Sequence, residues 1–180
     1  MQSGPLAPLR RLLVALVALA IAHASPAAVG PTEYEVKAAF LFNFISFTDW
    51  PPSAFATPSS PIHICVVAHD PFGSGLERMI AGERVGQHPL TLQHPEAPAD
   101  LADCQVLFVP AAVSPTSLLR TTGRRPVLTV GESDAFWRGG GIVNFVLERG
   151  RVRFDVNETA AEQRGLRLNA KVLRVARRVI

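Results

Sequence analysis

The strongest hydrophobic pattern in the chain is residues 62–68, a short segment in which almost every position is apolar. A strand exposed on one face alternates apolar and polar residues, whereas a strand covered on both faces needs no such alternation. We therefore predict that residues 62–68 form the central strand of a parallel sheet with helices on both faces. The loop after this strand begins with His69 and Asp70 and would lie at the edge where such sheets bind ligands.

Shorter apolar runs further along the chain predict the rest of the sheet. The other predicted strands are residues 90–93, 105–109, 126–130, 142–147 and 152–156. Arg149 and Gly150 separate the last two strands, which predicts an antiparallel hairpin. Short predicted helices alternate with the earlier strands. This alternation predicts a three-layer α/β sandwich, most simply with a mainly parallel sheet of the flavodoxin or receiver type and a C-terminal antiparallel hairpin.

The helices are predicted from apolar stripes and capping residues. Residues 34–49 carry a wide apolar stripe, and Thr32 with Glu35 has the spacing of a capping box. Asp70 is a suitable N-cap for a helix over residues 72–81. The remaining predicted helices are a brief one within 95–103, then 115–123, 133–138, 158–165 and a final helix from 169 to the C-terminus.

The first residues have the pattern of a secretory signal peptide. Residues 12–22 form an apolar run that follows Arg10 and Arg11 and is too short to span a bilayer comfortably. Residues 22–24 (AHA) have small residues at the first and third positions, which is the pattern of a signal-peptide cleavage site. The predicted organisation is a signal peptide over 1–24, a flexible lead-in over 25–32 and a single α/β domain over 33–180. Cleavage after Ala27 and an uncleaved N-terminal anchor are the alternatives.

The net charge of the chain changes once this leader is removed. The full sequence carries 18 basic and 15 acidic residues, for a formal net charge of +3. Loss of Arg10 and Arg11 leaves 16 basic residues against 15 acidic ones, for a net charge of +1. A charge this small favours neither nucleic acid nor a membrane as the partner.

Cys65 and Cys104 are the only two cysteines. Export would place them in an oxidising compartment, where they can form a disulfide. Closing a loop of this length would contribute about 4 kcal/mol of stability in the chain-entropy model. Two buried free thiols are the alternative. Two cysteines without further ligands at zinc-site spacing do not favour a zinc site.

The sequence offers no constellation typical of an enzyme. The glycines at 73 and 75 follow Asp70, but the stretch lacks the lysine of a phosphate-binding loop, so it is interpreted as a turn and cap. The histidines that lie near one another are His63, His69, His88 and His94. Their spacings place no two on one helix face beside an acid, which favours ordinary surface histidines over a metal site. We predict no catalytic residue, metal or cofactor.

Basic residues near the C-terminus are candidates for partner binding. Arg167, Lys171, Arg174 and Arg178 recur at spacings of four, three and four, which would align them on one helix face. The first hypothesis is a solvated face, helped by cations near a helix C-terminus. The second is a contact surface for an acidic protein or for anionic headgroups.

Arg153 is a further candidate for partner binding. It lies on the hairpin face opposite Phe154, on the same side as Arg151 and Asp155, and we predict that this side faces solvent. Arg153 therefore suits a pocket or an interface. A charge that deters aggregation at a sheet edge explains it equally well.

Several blocks of sequence occur together in one order along the predicted domain. They are residues 34–44 (YEVKAAFLFNF) with 50–51 (WP), 70–73 (DPFG), 140–145 (GGIVNF), 152–157 (VRFDVN) and 165–176 (GLRLNAKVLRVA). These blocks span nearly the whole mature chain. Together they resemble the YfiR family, the YfiR/HmsC-like periplasmic regulators of diguanylate cyclases.

The resemblance implies a repressor without catalytic residues. Studied members bind the periplasmic sensor region of a YfiN-like inner-membrane diguanylate cyclase and thereby restrain cyclic di-GMP synthesis and biofilm formation. A YfiB-like outer-membrane lipoprotein can sequester the repressor. The resemblance also implies that Cys65 and Cys104 form a structural disulfide. The best-known member has a second disulfide near the final hairpin, which this chain lacks, so redox control through such a pair is not implied.

Two hypotheses of function follow. The first is a periplasmic regulator that binds other proteins, or a second copy of itself, through the final hairpin and the last two helices. The second is a small-molecule sensor with its pocket above the strand ends. The candidate ligand-binding residues are His69, Asp70, Pro110 and Glu132.

Overall fold

The first helix begins at the capping residue that the sequence predicts. The structure, a computed structural model, describes residues 30–96 and 98–180, so the predicted signal peptide and most of the lead-in lie outside the described residues. Helix α1 (Glu33–Ser46) carries a complete capping box. The Thr32 hydroxyl accepts from the Glu35 N–H at 3.3 Å, and the Glu35 carboxylate accepts from the Thr32 N–H at 2.7 Å. The helix ends earlier than predicted because the chain enters a short strand.

The remaining elements follow in alternation. The other helices are α2 (Ser74–Ile80), α3 (Pro115–Thr122), α4 (Asp134–Arg138), α5 (Glu158–Glu162) and α6 (Ala170–Val175), with 3-10 turns at Pro52–Ala54 and Pro98–Asp103. The strands are β1 (Thr48–Asp49), β2 (Ile62–Val66), β3 (Arg84–Val85), β4 (His88–Gln93), β5 (Val106–Val109), β6 (Leu128–Gly131), β7 (Val143–Glu148), β8 (Arg151–Val156), β9 (Arg167–Leu168) and β10 (Arg178–Val179).

The main sheet has eight strands in the order β10-β8-β7-β6-β5-β2-β4-β3. Strands β4, β2, β5, β6 and β7 are parallel, and β8 forms the predicted antiparallel hairpin with β7. Strands β1 and β9 form a separate antiparallel pair. The prediction of a mixed α/β fold with a mostly parallel sheet is confirmed. Strand β2 is internal, as expected from its buried residues, although β5 and β6 lie nearer the middle.

Helices lie on both faces of this sheet, which gives the three layers. On one face, helices α1, α2, α5 and α6 pack over the strands, with Phe44, Leu76 and Val172 in the shared core. On the other face, α3, α4 and the second 3-10 turn contribute Leu118, Phe136 and their neighbours to a separate core. A disulfide joins Cys65 in β2 to Cys104 just before β5, with Cα atoms 5.9 Å apart. It therefore ties together two neighbouring parallel strands.

The C-terminal segment differs from the prediction of a helix through to the last residue. Helix α6 ends at Val175, and β10 pairs in parallel with β8. The prediction that Arg167, Lys171, Arg174 and Arg178 share one helix face is therefore wrong, because they are distributed over β9, α6 and β10. The prediction that Asp155 faces solvent is also wrong. It is 1% exposed because arginines of the C-terminal segment cover it.

The segment after β2 also differs from its prediction. Helix α2 begins at Ser74 rather than at residue 72, and Asp70 does not cap it. The Asp70 carboxylate instead accepts the Phe72 N–H at 2.7 Å and closes a turn before the helix. Strand β3, a two-residue antiparallel partner of β4, was not predicted. A strand of two residues is too short to show an alternation of apolar and polar positions.

Candidate functional site

A buried ion-pair cluster joins helix α1 to the carboxyl end of β6. Glu132 directly follows β6, and its side chain is 5% exposed. Its Oε2 accepts from Lys37 Nζ at 2.5 Å, while Oε1 accepts from the Tyr34 hydroxyl at 3.1 Å and the Ala111 N–H at 3.0 Å. Lys37 also contacts Glu33 at 2.5 Å. The Glu132 carboxylate thus has its partners inside the protein, so it holds α1 in place rather than presenting a free charge.

The protonation states of this cluster support one another. Burial lowers the pKa of Lys37, but hydrogen bonds to Glu132 and Glu33 outweigh burial, so the pKa of Lys37 is raised overall. Burial, followed by the negative charge of Glu132, raises the pKa of Tyr34. Lys37 Nζ also lies 4.5 Å from the centre of the Tyr34 ring, at the distance of a cation–π contact. Both groups therefore keep their protons at neutral pH.

The four predicted ligand-binding residues lie at one edge of the sheet but do not line the cleft that opens there. His69 is exposed, and Asp70 is half-buried with its carboxylate 3.7 Å from His94 Nε2. Pro110 is buried, and Glu132 is engaged by Lys37. The structure thus places these residues at the predicted edge, with Glu132 occupied internally.

The cleft at this edge has a volume of about 630 Å³. Its walls include Val67 and Ala68 after β2, His94 after β4, and Ser114 and Leu118 around the start of α3. Ala68 has a positive φ of 59°, so the chain turns sharply as it leaves β2. The cleft therefore combines apolar walls with a few polar groups at the ends of three parallel strands.

An apolar groove lies between α1 and α6, over β8. It has a volume of about 210 Å³ and is lined by Phe40, Phe44, Phe47, Phe154, Val172 and Val175, with Asn43 and Lys171 beside them. Phe44 and Phe154 pack edge to face with ring centres 4.7 Å apart. Val175 is 58% exposed at the groove, and Lys171 Nζ lies 5.3 Å from the Phe47 ring. A groove of buried and half-buried aromatic rings, with an exposed valine and a cation beside it, suits binding of another macromolecule.

The predicted partner-binding residues are all exposed, but they belong to different surfaces. Lys171 borders the groove, and Arg167 and Arg174 lie on the neighbouring β9 and α6. Arg153 lies on the other face of the sheet. Arg178 donates to Asp155 at 2.7 Å and lies 4.9 Å from the Trp137 ring.

The sequence pattern does not reveal the residues that build the groove and the ion-pair cluster. It places Phe40 and Phe47 in the apolar stripe of α1 without showing that part of this stripe stays open. One signal is the width of the stripe, which exceeds what a single helix face buries. Another is Lys37, which stands between two apolar residues and four residues after Glu33.

Two further features concern only residues 30–96 and 98–180. In these ranges, no three His, Cys, Asp or Glu side chains are grouped so that they could hold a metal ion. None of the helices in this described part is both long enough and apolar enough to cross a bilayer.

Comparisons with known proteins agree with the fold. The sequence model of the YfiR/HmsC-like family matches residues 34–177. A crystal structure of a conserved domain protein from Vibrio cholerae O1 biovar El Tor is similar, with a TM-score of 0.54 and 14% identity. The match covers 83% of this chain and 60% of that one, and at this identity it concerns the fold alone. No curated protein gave a significant match. Because the family match extends over most of its length, the chain belongs to the YfiR/HmsC-like family.

Proposed function

We propose that this protein is a periplasmic regulator that binds the periplasmic sensor region of an inner-membrane diguanylate cyclase and represses the enzyme. Repression would lower cyclic di-GMP and biofilm formation. Family membership supports a regulator of diguanylate cyclases rather than an enzyme. The structural observation that carries the proposal is the open aromatic groove between α1 and α6.

The groove has the properties of a protein-docking site. Phe40 and Phe47 are half-buried and leave part of their rings open in the groove at low conformational cost, and Val175 extends this apolar surface into solvent. Interfaces concentrate their binding energy in a few apolar anchors that fill such grooves. We therefore propose that an apolar side chain of the cyclase inserts here, with Lys171 contributing a charged contact beside it.

Cyclic di-GMP measurement in a deletion strain tests this function. We expect the deletion to raise cyclic di-GMP and the wild-type gene to restore it. A Val175→Asp variant should fail to restore it, because it places a charge in the groove. The matched control is Thr121→Asp, which places the same charge at an exposed position of α3, away from the groove, and should restore the wild-type level. Unchanged cyclic di-GMP in the deletion strain would overturn the proposal.

The remaining partners and the location belong to the same proposal. A YfiB-like outer-membrane lipoprotein would relieve repression by competing for this protein, and the protein could form a homodimer. Cleavage of the leader after Ala24 would release the mature chain into the periplasm. Fractionation with N-terminal sequencing tests the location, and sedimentation with and without the lipoprotein tests the two assemblies.

A second candidate function, a small-molecule sensor, is favoured by the position of the cleft. The five parallel strands lie in the sheet order β4-β2-β5-β6-β7. Counted from one to five by their position in the chain, this order is 2-1-3-4-5, which we propose to be the flavodoxin-type order. Strands β2 and β5 are neighbours, but the helices that follow them, α2 and α3, lie on opposite faces. Ligands of such sheets bind at this switch point, and the cleft opens there.

A thermal-shift screen against a panel of small metabolites tests the sensor function. The comparison is between the wild-type protein and a Ser117→Trp variant, which fills the cleft. A stabilisation that occurs in the wild type and is lost in the variant would support the sensor function. Equal shifts in both proteins would count against it.

A further inference from the structure

Near its turn, the hairpin of β7 and β8 has one face that helices do not cover. Side chains alternate along β8, so Phe154 packs into the core beneath α1 while Arg151 and Arg153 point to the opposite face. The core on that opposite face includes no residue of β7 or β8 among the described residues. Arg151 and Arg153 are accordingly exposed.

This face carries more positive than negative charge. Its two carboxylates are Glu148, which lies directly opposite Arg151 across the hairpin, and Asp155. Arg177 approaches both, at 3.9 Å and 2.6 Å, and Arg178 also contacts Asp155. Arg151 and Arg153 form no ion pair within 4 Å among the described residues. The face is therefore net positive, and Arg151 and Arg153 are its arginines that no carboxylate of the described chain engages.

The first part of the β8 edge, at Val152 between the two arginines, is also open. Strand β10 covers only the last part of β8, where Arg178 is paired with Asp155 and Val179 with Val156. The Arg177 N–H donates to the Phe154 carbonyl at 2.8 Å. Because backbone groups alternate in direction along a strand, Val152 points its own N–H and carbonyl toward the same side. Within the described chain, no strand lies beside Val152.

We propose that an extended acidic segment of the cyclase's periplasmic region pairs with this edge and places alternate carboxylates against Arg151 and Arg153. The occupant follows from charge complementarity and from spacing. The two arginines are two residues apart on one face, so a strand with acidic residues at every second position puts one carboxylate beside each. Addition of a strand to an open edge is a known mode of peptide recognition. This inference rests on the proposed function.

The arginine pair and the aromatic groove lie on opposite faces of the same hairpin. Phe154 lines the groove, and Arg153 precedes it on the other face. A partner that uses both sites must therefore pass around the edge of the sheet. The two contacts can be lost separately, which lets variants distinguish them.

Binding to a purified cyclase region tests the inference. The cyclase is identified as the one whose deletion reverses the high cyclic di-GMP of the strain that lacks this protein. The probe is the purified periplasmic region of that cyclase. The Arg151→Glu, Arg153→Glu double variant should bind it at least about tenfold more weakly and with a weaker dependence on salt concentration. The matched control is Arg120→Glu, Arg124→Glu, which makes the same change of charge at exposed positions around the end of α3 and should bind within about twofold of wild type.

Each outcome decides between explanations. Wild-type affinity and salt dependence in the hairpin variant would overturn the inference while leaving the proposed function intact, and would assign the arginines to protection of the sheet edge. Wild-type protein that binds no cyclase region would overturn both. Arginine-dependent binding to vesicles of anionic phospholipid, with unchanged binding to the cyclase region, would replace the protein partner by a membrane surface. An unchanged melting temperature establishes that the variant is folded.

Discussion

Arg177 donates two hydrogen bonds to the carboxylate of Asp155, from Nε to Oδ1 at 2.8 Å and from Nη2 to Oδ2 at 2.6 Å. Arg178 donates a third, from Nη2 to Oδ2 at 2.7 Å. Asp155 is 1% exposed. One buried carboxylate of β8 therefore anchors the side chains of the C-terminal segment, in addition to the backbone pairing of β10 with β8.

Replacement of Asp155 should destabilise the protein. In Asp155→Ala, two arginines lose their shared acceptor at a buried position, and we expect a loss of about 2 kcal/mol in the free energy of unfolding. Urea denaturation checks this value. The control is Arg178→Ala, which keeps both hydrogen bonds from Arg177 and should cost less. A loss as large in the control as in Asp155→Ala would contradict the central role of the carboxylate.

The same carboxylate predicts a loss of stability in acid. Burial raises the pKa of Asp155, but the hydrogen bonds from Arg177 and Arg178 outweigh it and hold the pKa below its ordinary value. The unfolded chain therefore binds this proton more readily than the folded protein. The stability that the Asp155 carboxylate contributes is complete above its pKa in the unfolded chain, about 3.9. This stability is lost as the pH falls through the pKa of Asp155 in the folded protein. Urea titrations of wild type and Asp155→Asn should converge in this acidic range, and a constant difference would contradict the assignment.

The environment of Asp155 shows where sequence patterns stop being informative. Alternation along β8 places Phe154 in the core correctly, and the same alternation places Asp155 beside Arg153 in solvent. The burial of Asp155 depends on β10, which has only two residues and leaves no period to detect. The spacing from Arg174 to Arg178 equally suits a helix. Pairing with β8, more than twenty residues away, decides between strand and helix.

Loss of the Lys37 charge should be costly. In Lys37→Met, the Glu132 carboxylate stays buried without its cation, and we expect a loss of about 3 kcal/mol. Thermal or urea unfolding measures it. The matched control is Glu33→Gln, which removes the other partner of Lys37; the Glu33 side chain is 39% exposed, so the cost should stay below about 1 kcal/mol. Equal losses in the two variants would indicate that Glu132 is solvated.

This cluster also limits how much of the candidate site the sequence can reveal. Strand ends follow from hydrophobic runs, so the edge that carries Asp70, Pro110 and Glu132 is predictable. The sequence does not predict which side chains remain free at that edge, because the Lys37 and Tyr34 partners of Glu132 are 95 and 98 residues away in sequence. The aromatic groove is hidden for the same reason: only the packing of α6 and β8 decides which phenylalanines of α1 stay open.

Removal of the disulfide should destabilise the protein without changing its fold. Cys65 and Cys104 are 39 residues apart in sequence, and the chain-entropy model gives a contribution of about 4 kcal/mol. The Cys65→Ser, Cys104→Ser variant should unfold at lower urea concentration, as should wild type treated with reductant. Circular dichroism before unfolding checks that the fold persists. A reduced protein that unfolds at the same urea concentration as the oxidised one would show that the bond contributes nothing.

Gly131 illustrates a requirement for glycine that comes from packing. The Phe136 ring lies over Gly131 at the end of β6, and a methyl group there would come within 2.6 Å of ring carbons Cδ1 and Cδ2. Phe136 is fully buried, so it cannot move aside freely. We expect Gly131→Ala to lower the free energy of unfolding by about 3 kcal/mol, measured by urea denaturation.

A matched glycine separates this steric effect from a general effect of alanine. Gly75 lies in α2, and a methyl group added there would have no atom within 4 Å, so Gly75→Ala should be neutral or stabilise by up to about 1 kcal/mol. If the ring is the cause, Gly131→Ala should cost much less in a Phe136→Ala background, because the methyl group then enters the space that the ring vacates. Additive losses in the double variant would place the cause in the β6 backbone instead of the ring.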